Sequence, residues 1–129
     1  MKQVVVVGAG PAGLMAAAGA AAHGARVTLL EKMARVGTKL SITGNGRCNL
    51  TTTAGGSDLI KWFPGNGRFL HSAFHELSNT DLREFFHKRG LQTKVEQGNR
   101  VFPVSDKDKD VATCRPPSPR GTWPANMRP

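Results

Sequence analysis

The chain has 129 residues, 39% hydrophobic content and a net charge of +9, the length of one ordinary domain with a modest core. Two cysteines far apart, Cys48 and Cys114, exclude a disulfide scaffold and a Cys/His metal module, and point to a reducing, cytoplasmic setting. The basic balance does not carry a nucleic-acid reading, because no stripe of Lys/Arg interleaved with aromatics accompanies it; solubility and an anionic small ligand account for the charge equally well,.

The first element is Val4–Val7, a β-branched run of the kind expected for a strand buried on both faces,. From Gln3 to Ala22 no residue is charged, a pattern that could pass for a signal peptide or a membrane span,. The run stops at "GAGPAG", however, where a proline and three glycines suit a turn better than a continuous apolar helix. A helix is expected from Pro11 to about His23, with Pro11 at a position where a missing N–H is harmless and Gly24 closing it. Arg26–Leu30 reads as a second strand that ends at Glu31. Strand, helix and strand together make a βαβ unit.

Residues 32–40 read as a polar loop, and irregular structure is expected through "LSITGNGRCNL" to about Ser57. Phe69, Leu70, Ala73, Phe74 and Leu77 then share one helical face,. Asn79 or Thr80 is the expected cap of a further helix whose apolar side is Leu82, Phe85 and Phe86, and Gly90 stops it. Residues 91–104 read as a hairpin with a two-residue turn at Gly98-Asn99,. A helix could start at Ser105–Asp106, but the pattern is lost after Val111: residues 112–129 hold five prolines and three arginines and no acid. The expectation is a domain over residues 1–111 and a non-homologous, disordered tail over 112–129, either native or read out of frame.

The chemistry lies in Gly8-Ala9-Gly10-Pro11-Ala12-Gly13, a GxGxxG motif between a strand and a helix, with an acid, Glu31, ending the next strand. That set is the dinucleotide-binding fingerprint. Gly8 permits the turn, Gly10 lets the backbone approach a pyrophosphate, and Gly13 lets the helix pack close on the sheet. The helix N-terminus favours the diphosphate. Glu31 can accept hydrogen bonds from both ribose hydroxyls and would repel a 2′-phosphate, so FAD or NAD is preferred to NADP.

In the later motif, Gly44 and Gly46 allow positive φ and could form an anion nest. Arg47 could reach a phosphate or flavin carbonyl, or sit in a solvated ion pair, and Asn49 could meet an isoalloxazine edge. Cys48 reads as a packed cysteine rather than a redox thiol, since no resolving cysteine lies near it in sequence. His71 and His75 fall at i, i+4 but read as a solvated helix face, and no metal is expected.

Taken together, "VVVVGAGPAGLMAA", "VTLLEK", "GTKLSITGNGRCNLT", "FPGNGRFLHSAF", "SNTDLREFF" and "GLQTKVEQGNRVFPVSDK" resemble the BaiN/YhiN-like FAD-dependent flavoproteins over about residues 3–111. The resemblance implies an α/β, Rossmann-like FAD-binding start with a helical segment and a β-hairpin, incomplete relative to the family fold. It implies that Gly8, Gly10, Pro11, Ala12, Gly13, Glu31 and Lys32 hold the ADP half of FAD. Lys39 and the loop Thr43, Gly44, Gly46, Arg47, Cys48 and Asn49 would lie along the pyrophosphate and flavin side. Thr52 and Asp108 depart from the family's usual asparagine and small residue. The implied activity is flavin-mediated oxidoreduction of a small-molecule substrate, with NAD(P)H as a candidate electron donor. The alternatives are a non-catalytic fragment without stable flavin and an NAD-binding dehydrogenase. No catalytic acid or base, substrate or oligomeric state is distinguished.

Overall fold

The computed structural model describes residues 1–114. The expected tail therefore lies, from residue 115 onward, outside the described residues. Strand β1 (Gln3–Val7), helix α1 (Pro11–Ala22) and strand β2 (Arg26–Leu30) form the βαβ unit, with β1 and β2 parallel from Gln3↔Arg26 to Val7↔Leu30. Pro11 occupies the first helical position, where its fixed φ favours the turn. Gly24, at φ +77, ends α1 in a Schellman arrangement: its N–H donates to the Ala21 carbonyl and that of Ala25 to Ala20,. No helix among the described residues is long and apolar enough to cross a membrane.

The expectation that the first strand is buried on both faces does not hold. Val5 is 62% and Val7 81% exposed, because α1 covers one face of this two-stranded sheet and no described element covers the other.

Beyond β2 the chain is more regular than its composition suggests. Helix α2 (Thr38–Ile42) forms inside the expected loop, and a 3-10 segment (Thr43–Gly46) follows it. Strand β3 (Thr51–Thr52) pairs antiparallel with Arg100 and Val101, and helix α3 (Gly56–Lys61) comes next. The expected helix over residues 69–77 is split into a 3-10 turn (Gly67–Leu70) and helix α4 (His71–Glu76). Phe69 is consequently exposed rather than on a buried face.

Helix α5 (Asn79–His87) is capped one residue earlier than the expected Asn79 or Thr80. Ser78 accepts from the Asp81 N–H, and the Asp81 carboxylate accepts from the Ser78 N–H, a complete capping box,. Asn79 is thereby free to act elsewhere, and its buried amide donates to the carbonyls of Thr52 and Ala54, tying α5 to β3. Gly90 (φ +82) ends the helix as expected. Strands β4 (Thr93–Glu96) and β5 (Arg100–Pro103) form the hairpin, but with Glu96 paired to Arg100 the connection has three residues, Gln97 joining Gly98 and Asn99, and not the expected two. The sheet order is β3-β5-β4.

A helix does form where the sequence pattern fades: α6 (Asp108–Ala112). Val111 on it joins Cys48 and Phe86 in the core, with Leu40, Leu50, Leu82, Phe85, Leu91 and Cys114 packed around them. Tertiary burial of Val111 and Cys114 outweighs the weak local pattern. Between α1 and this core lies an apolar cavity of about 180 Å³, lined by Leu14, Met15, Phe86 and Val111 among others.

Replacing Ser78 by alanine removes the reciprocal cap, and a loss of about 1 kcal/mol is expected. Urea unfolding checks this: the midpoint falls while the slope stays constant.

Candidate functional site

The fingerprint glycines divide into two kinds. Gly8 turns the chain out of β1 at φ +93, a conformation that side chains other than glycine rarely adopt. A Cβ at Gly13 would stand 1.8 Å from the Gly8 carbonyl oxygen, so the close approach of α1 to the end of β1 requires glycine there. Gly10 is different. Its φ of −73 suits any residue, and a Cβ on it would meet no atom within 4 Å among the described residues beyond its chain neighbours. Packing among the described residues does not demand glycine at this position. The open space lies at the N-terminus of α1, which no side chain caps.

The turn between these glycines is held from two sides. Ala9 is fully buried. Its N–H donates to Glu31 Oε2 at 2.6 Å, and its carbonyl accepts from the Gly37 N–H at 2.8 Å. The other Glu31 oxygen accepts from the Met33 N–H at 2.9 Å. The amides of Met33 and Ala9 hold the Glu31 carboxyl below the usual carboxylate range,. Glu31 thus has a structural duty in addition to the ribose contact expected of it, with lone pairs remaining for hydroxyl donors. Gly37, whose N–H holds the turn, is a position that sequence patterns do not single out. It takes φ +67, and a Cβ there would press on Ala112 at 3.1 Å and on Leu40 and Leu14. Its sole signal in the sequence is an isolated glycine in a polar stretch. Pro11 and Ala12 begin α1, Lys32 follows Glu31 on the surface, and Lys39 is exposed on α2.

The loop Thr43–Asn49 follows directly on α2. Gly44, Asn45 and Gly46 take successive positive φ values of 57, 55 and 85, and Cys48 takes 64. The N–H groups of Arg47 and Cys48 donate to the carbonyls of Gly44 and Thr43 and so are not free for an anion. Gly44 is required by packing: a Cβ would lie 2.5 Å from the Phe102 ring. Arg47 takes the ion-pair alternative. Its guanidinium meets Glu96 at 2.9 Å and Asp106 at 3.4 Å and lies 4.2 Å from the Phe102 ring centre. Lys94 closes the cluster, 2.5 Å from Asp106 and 3.4 Å from Glu96. Cys48, expected as part of a cofactor-binding loop, is withdrawn into the core with no exposed surface. Burial raises its thiol pKa, which suits a packed cysteine and not a thiolate. Thr43 hydrogen-bonds Leu40 through its hydroxyl, and Asn49 is exposed. His71 and His75 both lie on α4; among the described residues no group of three or more His, Cys, Asp or Glu could hold a metal ion.

The carboxyls give a pH prediction with a definite sign. Arg47 lowers the pKa of Glu96, Lys94 lowers that of Asp106, and backbone amides lower that of Glu31. Folded-state values below the unfolded ones mean stabilisation that is complete above about pH 5 and lost as pH falls through the depressed values, below about pH 4. Urea unfolding between pH 3 and 7 should show this decline. Glu96→Gln should flatten part of it, and an unchanged slope in that variant would refute the assignment.

Comparison with known proteins places these features in a family. The family described as HI0933-like protein Rossmann domain matches residues 2–115. The 3-dehydro-bile acid delta(4,6)-reductase of Clostridium scindens is 34% identical over 113 residues, 86% of this chain and 27% of the relative. The ribosomal RNA dihydrouridine synthases of Escherichia coli and Haemophilus influenzae are 32% and 28% identical over 98 residues, each covering 76% of this chain and 24% of the relative. The chain spans about a quarter of the length of these relatives. With the glycine turn, the parallel βαβ unit and the acid at the end of β2 all in place, the chain belongs to the HI0933-like Rossmann domain family, the BaiN/YhiN-like flavoproteins.

Proposed function

We propose that the chain binds FAD through its ADP half and serves flavin-dependent oxidoreduction. The observation that carries this reading is Gly10, a glycine that packing among the described residues does not need, beside the uncapped start of α1. A side chain there would occupy the space that a diphosphate requires. Gly8 and Gly13 shape the turn, Pro11 and Ala12 open the helix that faces the diphosphate, and Glu31 receives the ribose hydroxyls. Lys32 and Lys39 are exposed and make no ion pair among the described residues, so both can approach phosphate. When bound, the flavin supplies the hydride and electron transfer. The chain's residues bind and orient it. Thr43, Gly44, Gly46 and Asn49 border the path towards the flavin ring, while Arg47 and Cys48 support that loop from behind.

For the substrate, the leading reading is a small molecule with NAD(P)H as donor, in line with the bile-acid reductase relative. A second reading is favoured by the two relatives named for ribosomal RNA: the substrate is then a uridine in RNA. Salt-dependent binding of a uridine-containing RNA oligomer would select the second.

The cofactor claim is tested by titrating the chain with FAD and following flavin fluorescence, with NAD as competitor. Gly10→Ala should leave the melting temperature within about 2 °C and weaken FAD binding tenfold or more, about 1.4 kcal/mol. Gly13→Ala should instead destabilise the fold by about 1–3 kcal/mol, through the clash with Gly8. Equal FAD affinity in wild type and Gly10→Ala would sink the proposal, as would tighter binding of NAD than FAD.

A further inference from the structure

We infer that Asp108 and Arg35 are a positioning pair for the dinucleotide turn, a role that rests on the FAD reading above. The segment between β2 and α2 has no regular structure, yet it carries the Gly37 N–H that fixes the Ala9 carbonyl. Its internal hydrogen bonds are few: Met33 N–H to Glu31, and the Thr38 hydroxyl to the Arg35 carbonyl. Besides the Glu31 carboxylate on the Ala9 N–H, Arg35 supplies the segment's side-chain link to a distant element among the described residues, the ion pair with Asp108 at the start of α6.

Helix geometry makes the link effective. Asp108 and Ala112 are four residues apart and share one face of α6. Asp108 meets Arg35, and Ala112 lies where a Cβ on Gly37 would collide with it. One helix face therefore grips both ends of the Arg35–Gly37 stretch. The Asp108 side chain is 14% exposed and Arg35 50% exposed, so the carboxylate is partly shielded and the pair is screened less than a fully exposed one. The chain of contacts runs from Asp108 to Arg35, through Gly37 to Ala9, and so to the peptide groups between Gly8 and Gly10. Because Asp108 stands where the family resemblance implies a small residue, the pair is a feature of this chain and not of the fingerprint itself.

The test uses the full chain and three variants: Asp108→Asn, Arg35→Gln, and the charge swap Arg35→Asp with Asp108→Arg. Each single variant should raise the FAD dissociation constant about three- to tenfold. NMR-detected hydrogen exchange should quicken at the Gly37 amide and stay unchanged at the Cys48 amide, which belongs to a separate turn. The swap should recover most of the affinity. Dissociation constants within twofold of wild type, together with unchanged Gly37 exchange, would overturn the inference; so would a swap as weak as the single variants. Should Asp108→Asn fail to fold, Arg35→Gln, at the more exposed partner, decides. If wild type itself binds no FAD, the function proposed above falls, and the Gly37 exchange arm alone decides whether the pair positions the loop.

Discussion

One buried residue organises the candidate site. Ala9 has no exposed surface, its N–H is held by a carboxylate from the end of β2, and its carbonyl by a glycine amide just before α2. A buried backbone group must find a partner or lose the free energy of its hydration. Here both partners come from the segment that follows β2. The glycine turn is therefore not a floppy loop awaiting a ligand. Its peptide planes are set before any anion arrives, which removes part of the ordering cost that binding would otherwise carry.

A second constraint acts on the other motif. Gly44, Asn45 and Gly46 wind in the left-handed sense, and Cys48 repeats it. Such a run persists only where surrounding contacts over-determine it. Three contacts do so: Phe102 fills the place of a Cβ on Gly44, Cys48 is locked in the core, and Arg47 is gripped by Glu96, Asp106 and the face of Phe102. The hairpin β4–β5 is the mould for this loop. The fold thereby brings together "GNGRCN" and "GNRVFPVSD", far apart in this sequence: each supplies what the other's conformation needs.

Much of this is legible in the sequence, and the omissions have common causes. The βαβ unit, both glycine helix stops and the hairpin follow from local rules, because a proline, a glycine or a β-branched run acts within a few residues. The role of Gly37 is not legible. Its partner Ala9 is distant in sequence, and one glycine in a polar stretch carries no address. Arg47 stays divided between a phosphate and an ion pair on sequence alone, since its choice depends on Glu96 and Asp106, which only the tertiary fold brings near. Helix α6 escapes the pattern for a related reason. Five residues hold too little periodicity to be read, and the burial of Val111 against Cys48 and Phe86 is what makes them helical. The expectation of a doubly buried first strand fails because a hydrophobic run records what a strand can tolerate, not what covers it.

The distribution of packing bears on how the site behaves. The core gathers Cys48, Phe86 and Val111 with the residues about them, whereas α1 buries Ala17 alone and faces that core across a cavity of about 180 Å³. The outer face of β1 is exposed as well. The fingerprint thus sits outside that core, its turn held by the hydrogen bonds of Ala9 to Glu31 and Gly37. Regions with few buried contacts open at lower free energy than the core does. A ligand that binds the closed turn shifts that local equilibrium by mass action. Occupancy of the turn and order in the βαβ unit should therefore be coupled more tightly than occupancy and global unfolding, because the core about Phe86 does not depend on the turn for its packing.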